Sequence, residues 1–139
     1  MANAGDAAYK AAYKALNNEQ KQAVDQLDGP VLVIAGPGTG KTQLLATRVG
    51  RILEQTDAGA ENILCLTFSE SAVRAMKQRL VNVIGPAARD VMVSTYHAFG
   101  RDLIASNAEE FNQETILANP ADDLLLDKLL RQIQAELPY

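Results

Sequence analysis

Apolar side chains along this chain alternate between short continuous runs and stretches with a helical repeat. Val31-Leu32-Val33-Ile34 is an uninterrupted, β-branched run of the kind found in strands covered on both faces. It leads through a glycine-rich stretch into Leu45, Val49, Ile52 and Leu53, which recur at helical spacing. Ile63-Leu64-Cys65-Leu66 repeats the pattern of a buried strand, and Val73, Met76, Leu80 and Val81 mark a following helix with Arg74, Lys77 and Arg79 on its polar side. Val91-Met92-Val93 opens a third cycle, whose helix holds Tyr96, Phe99, Leu103 and Ile104. Three strand-to-helix units predict an α/β fold, with a parallel sheet flanked by helices and right-handed crossovers.

The flanks read differently. Near the start, Ala7-Ala8-Tyr9-Lys10 is repeated as Ala11-Ala12-Tyr13-Lys14, which places Tyr9 and Tyr13 on one helical face. Residues 1–15 are therefore expected to form a helical extension, solvated rather than a binding element, as chain ends commonly are. Asn17 or Asn18 can cap a short helix through Glu19 to Val24, which the turn Asp28-Gly29-Pro30 stops. Toward the end, Asn119 and Pro120 start a helix in which Leu126, Leu129, Leu130, Ile133 and Leu137 form one apolar stripe.

Composition adds little to this picture and removes some alternatives. At 139 residues and 47% apolar, the chain suffices for one domain with a core. No run of 18 or more apolar residues and no secretory signal pattern occurs, so a cytoplasmic protein without a membrane span is expected. The single cysteine, Cys65, excludes an intrachain disulfide. The net charge of −4 argues against nucleic acid, but it is unevenly placed. Residues 1–106 hold 11 basic and 10 acidic side chains, and residues 107–139 hold 2 and 7. The first part is close to neutral, so any case for DNA rests on motifs.

The glycine-rich stretch carries the chemistry. Ala35-Gly36-Pro37-Gly38-Thr39-Gly40-Lys41-Thr42 matches the phosphate-binding loop pattern, with alanine where the first glycine usually stands. Glycines there let backbone N–H groups turn toward phosphate oxygens, and the helix starting near Lys41 points its positive end at them. Lys41 is expected to reach the β and γ phosphates, and the Thr42 hydroxyl to ligate Mg²⁺. The cofactors implied are ATP and Mg²⁺.

The neighbours of this loop narrow the class. Leu16-Asn17-Asn18-Glu19-Gln20-Lys21-Gln22-Ala23-Val24 resembles the Q motif of UvrD/Rep-like superfamily 1 DNA helicases. Leu66-Thr67-Phe68-Ser69 resembles motif Ia of that family, and Val93-Ser94-Thr95-Tyr96-His97-Ala98-Phe99 resembles motif Ib. The resemblance covers roughly residues 16–106. It implies the N-terminal part of a RecA-like ATP-binding domain (1A), with residues 107–139 as the start of a helical subdomain (1B). It also implies that Gln20 reads adenine, whose donor and acceptor pair a side-chain amide can match. Thr67, Phe68, Thr95, Tyr96 and His97 would face single-stranded DNA, through phosphate hydrogen bonds and base stacking.

Two departures bear on this reading. Motif Ia here is Thr67-Phe68-Ser69-Glu70-Ser71-Ala72, a stretch with a carboxylate in place of the family's cation-bearing one. Gln43 follows the loop threonine where the family commonly has arginine, and remains a candidate nucleotide neighbour. No Asp-Glu pair of the Walker B type occurs, and Asp127 after Leu124-Leu125-Leu126 sits in a helical pattern. The expectation is a chain truncated before Walker B, lacking the remaining helicase domains and inactive alone. The parent protein would couple ATP hydrolysis to 3′ to 5′ movement on single-stranded DNA. The alternatives are another P-loop ATPase class, such as AAA+, and a non-enzymatic nucleotide- or DNA-binding module.

Overall fold

Leu80 has no exposed surface, and the helix that carries it is the centre of the fold. That helix, α4 (Glu70–Ile84), buries Val73, Met76, Leu80, Val83 and Ile84 along one stripe. Ser69 starts it, its hydroxyl accepting the Ala72 N–H at 3.2 Å. The computed structural model describes residues 4–107 and forms two compact units, residues 1–96 and 97–139.

In the first unit α4 is the crossover between two parallel strands, β1 (Leu64–Thr67) and β2 (Met92–Thr95). Their register pairs Leu64 with Met92 and Thr67 with Thr95. Helix α3 (Lys41–Gln55) packs on α4 through Ala46, Val49 and Gly50. Helix α2 (Asn18–Asp25) lies on α3, with Val24, Leu16 and Leu44 in a small separate cluster. Helix α5 (Tyr96–Ser106) follows β2. The fold is thus α/β, as expected, with the second and third strand-to-helix cycles in place. The C-terminal leucine stripe and Asp127 lie outside the described residues.

The first cycle differs. Val31–Ile34 forms no strand, and the sheet among the described residues has two members rather than three. Leu32 is 86% exposed and Ile34 92%. A strand exists only as part of a hydrogen-bonded ladder. Among the described residues no backbone hydrogen bond pairs this run with another segment.

The N-terminal tandem also departs from a solvated extension. Helix α1 (Ala4–Lys14) is docked, and Tyr9 is only 5% exposed within the main core. Gly50 makes room for it: a Cβ there would stand 2.5 Å from Tyr9 Cδ2. Tyr9 donates its hydroxyl proton to Glu54 at 3.0 Å. Burial, and then the Glu54 carboxylate, push the Tyr9 hydroxyl up to about 12, against about 10 for a free tyrosine. Because the folded value is the higher one, this contribution is complete below pH 10 or so and is lost as pH rises through the folded value. The thermal midpoint is expected to fall across that alkaline range, and Tyr9→Phe to shallow the fall. An unchanged slope in calorimetry at stepped pH would count against the coupling.

Candidate nucleotide-binding site

Two short-range devices shape the loop at the start of α3. Gly38 and Gly40 take positive φ, 75° and 83°, which glycine alone adopts without strain. Thr39 donates its hydroxyl to the Gly36 carbonyl at 2.8 Å, closing the turn. Gly40 is the N-cap of α3 and offers no side-chain hydrogen bond, so the first N–H groups of the helix have no capping side chain. These donors and the helix dipole face the loop, the arrangement that favours an anion. Lys41, exposed, donates its ammonium to the Gly36 carbonyl at 2.6 Å and to the Ala35 carbonyl at 3.3 Å.

Helix α2 reaches the same place. Asn17 caps it with a reciprocal capping box: its side chain accepts the Gln20 N–H at 2.8 Å, and Gln20 Oε1 accepts the Asn17 N–H at 3.0 Å. Gln20 Nε2 donates to the Thr39 carbonyl of the loop at 3.3 Å. Sequence reasoning placed a cap here without seeing that Gln20 completes it, although an Asn with Gln three residues later is the signature of the motif.

A cavity of about 540 Å³ opens between these elements, within the usual range for small-molecule sites. Gln20, Ala35, Gly36, Thr39 and Lys41 form its polar side, and Val31, Val33 and Leu44 contribute apolar wall. Five of the nucleotide candidates therefore share one space. Pro37, Gly38, Gly40 and Thr42 are exposed beside it, outside its lining. Gln43 turns along the helix instead, donating to Thr47 Oγ1 at 3.4 Å. Glu19 also lines the cavity, a neighbour that sequence reasoning did not single out.

A second set of candidates lies at the C-terminal ends of the strands, the edge where ligands of open α/β sheets bind. Phe68 and Tyr96 directly follow the register pair Thr67 and Thr95, and both rings are exposed, Phe68 at 82%. Thr67 is half-buried, whereas Thr95 is 6% exposed. His97 is exposed and opens the second unit. Burial pushes the Cys65 thiol up from its ordinary value, so it acts as a core side chain in β1.

Comparison with known proteins decides the class. Residues 16–137 match the UvrD/REP helicase N-terminal domain. The chain belongs to that family. Among curated relatives, the ATP-dependent DNA helicase PcrA of Bacillus subtilis strain 168 is 34% identical over 115 residues, 81% of this chain and 16% of that protein. PcrA of Staphylococcus epidermidis is 35% identical over 101 residues, 73% of this chain and 14% of its own length. PcrA of Staphylococcus aureus strain Mu50 is 34% identical over 99 residues, with shares of 71% and 14%. The chain thus spans about one sixth or less of these relatives. The residues resembling the Q motif and the phosphate-binding loop fall inside the matched range. Among the described residues no helix is long and apolar enough to cross a membrane.

Proposed function

We propose that this chain is the ATP-binding N-terminal part of an ATP-dependent DNA helicase, a partial RecA-like domain 1A over residues 16–106 with the opening of subdomain 1B after it. The observation that carries this reading is the single cavity lined by Gln20 and by the loop residues Ala35, Gly36, Thr39 and Lys41. Phosphates would sit on the loop glycines, the free N–H groups of α3 and the Lys41 ammonium. Gln20 would turn its amide from the Thr39 carbonyl to the adenine edge.

Mg²⁺ fits less completely. Thr42 is an exposed residue at the start of α3, and its hydroxyl could supply one oxygen beside those of the phosphates. Among the described residues no cluster of three or more His, Cys, Asp or Glu side chains could hold a metal. When bound, the ion would neutralise phosphate charge. In the parent protein, hydrolysis would drive movement along single-stranded DNA. There the exposed rings of Phe68 and Tyr96 would stack bases, with Thr67 and His97 toward phosphate. Thr95, buried at the end of β2, would support that edge beside them.

The test is a titration of the chain with fluorescent ATP and GTP analogues in Mg²⁺. ATP should bind more tightly than GTP, and Gln20→Ala should narrow that difference by about tenfold, the effect of losing a paired base contact. Equal affinity for the two nucleotides would remove the adenine-reading role.

A further inference from the structure

Helix α2 carries Gln20, yet little apolar surface holds it. It has eight residues and one buried side chain, Val24, which joins Leu16 and Leu44, with the half-buried Tyr13 and Ala23 packed against them. A helix that short has no stability of its own in water. Polar contacts fix it at both ends. At its start stands the tie from Gln20 Nε2 to the Thr39 carbonyl, 3.3 Å long. At its end the Arg48 guanidinium donates to the Ala23 carbonyl, one of the groups a helix terminus leaves without an intrahelical partner. Asp25 faces Arg51 Nε at 2.8 Å and accepts the Tyr13 hydroxyl at 2.7 Å. Arg51 Nε is buried, and its contact with Asp25 is an ion pair without hydrogen-bond geometry.

The two ends respond differently to a nucleotide. If Gln20 reads adenine, as the proposed function holds, its amide leaves Thr39 and the tie at the start of α2 is given up. The donors at the other end stand outside the cavity, since neither Arg48 nor Arg51 lines it, although Ala23, whose carbonyl Arg48 holds, does. Arg48 lies about 10 Å along α3 from Lys41. Both guanidinium groups belong to the helix rooted in the phosphate loop. They connect the proposed base-reading helix to the proposed phosphate-binding one by a route whose donors lie outside the cavity.

We propose that Arg48 and Arg51 are positioning residues for base selection, holding α2 against α3 so that Gln20 meets the base of a nucleotide whose phosphates lie on the loop. Phosphate binding depends on the loop and Lys41 and does not need this route. Loss of either arginine therefore lowers the preference for adenine while sparing the affinity common to both purine nucleotides.

The experiment measures ATP and GTP analogue binding in Mg²⁺ for the wild-type chain, Arg48→Ala, Arg51→Ala and Arg48→Lys, with circular dichroism on each. The ATP-over-GTP ratio should fall by about fivefold to tenfold in the alanine variants, the size of one charge-assisted hydrogen bond. GTP affinity should hold, and Arg48→Lys, which still offers a donor to Ala23, should recover most of the ratio. Equal weakening of both nucleotides, or an unchanged ratio, overturns the proposal. A wild-type chain without adenine preference instead removes the Gln20 reading itself, before any variant is compared. Should an alanine variant lose helix content, Asp25→Asn serves in its place: it removes the charge facing Arg51, keeps an oxygen for Tyr13, and must lower the same ratio.

Discussion

Lys41→Ala should weaken ATP-analogue binding by about a hundredfold, the equivalent of one or two charge-assisted hydrogen bonds to phosphate. The Lys41 ammonium now spends its donors on the Gly36 and Ala35 carbonyls. A triphosphate competes well for those donors, because an anionic oxygen is the stronger acceptor. The variant loses this exchange and the loop's only lysine together. Its unfolding midpoint should stay close to wild type, since the residue is exposed. Binding by equilibrium fluorescence and stability by urea denaturation separate the two effects. Near-normal affinity in the variant would move the phosphate site away from this loop.

The second large effect is on stability. Tyr9→Ala should cost about 3 kcal/mol, the scale for removing a buried aromatic ring from a core. That is a substantial fraction of the few kcal/mol by which domains are stable. The ring belongs to the main core cluster together with Val49, Val83 and Ile84, and it closes over Gly50. Tyr13, half-buried and placed between Asp25 and the Arg51 guanidinium, should cost clearly less on the same substitution. Urea denaturation of the two variants makes the comparison. Equal and small losses for both would mean that α1 contributes nothing to the folded state.

These two residues also mark what could be read from the chain. Tyr9 and Tyr13 are identical in spacing and neighbours, so periodicity treats them alike. What separates them is Gly50, far off in sequence, whose missing side chain admits one ring. A lone glycine inside a helical pattern is the available signal, since it often marks a close approach. The loop, α4 and both strands were legible because each announces itself locally, by a motif, a cap or an apolar stripe. Val31–Ile34 has as strong a local pattern as β1, yet a strand is a relation between segments and no periodicity contains the partner. At the candidate site, residue types single out Gln20 and Lys41 as candidates. That both are already hydrogen-bonded to loop carbonyls follows only from the folded backbone.

The phosphate loop hangs between two unlike supports. On one side α3 buries its own Ala46, Thr47, Val49 and Gly50 in the fold. On the other, the run from Val31 to Ile34 has no ladder among the described residues. A mechanical load applied at the loop has a stiff shoulder and a compliant one, and force follows the stiffer path. A phosphate bound as proposed would load the axis of α3 and its packed helices more than the run that precedes the loop.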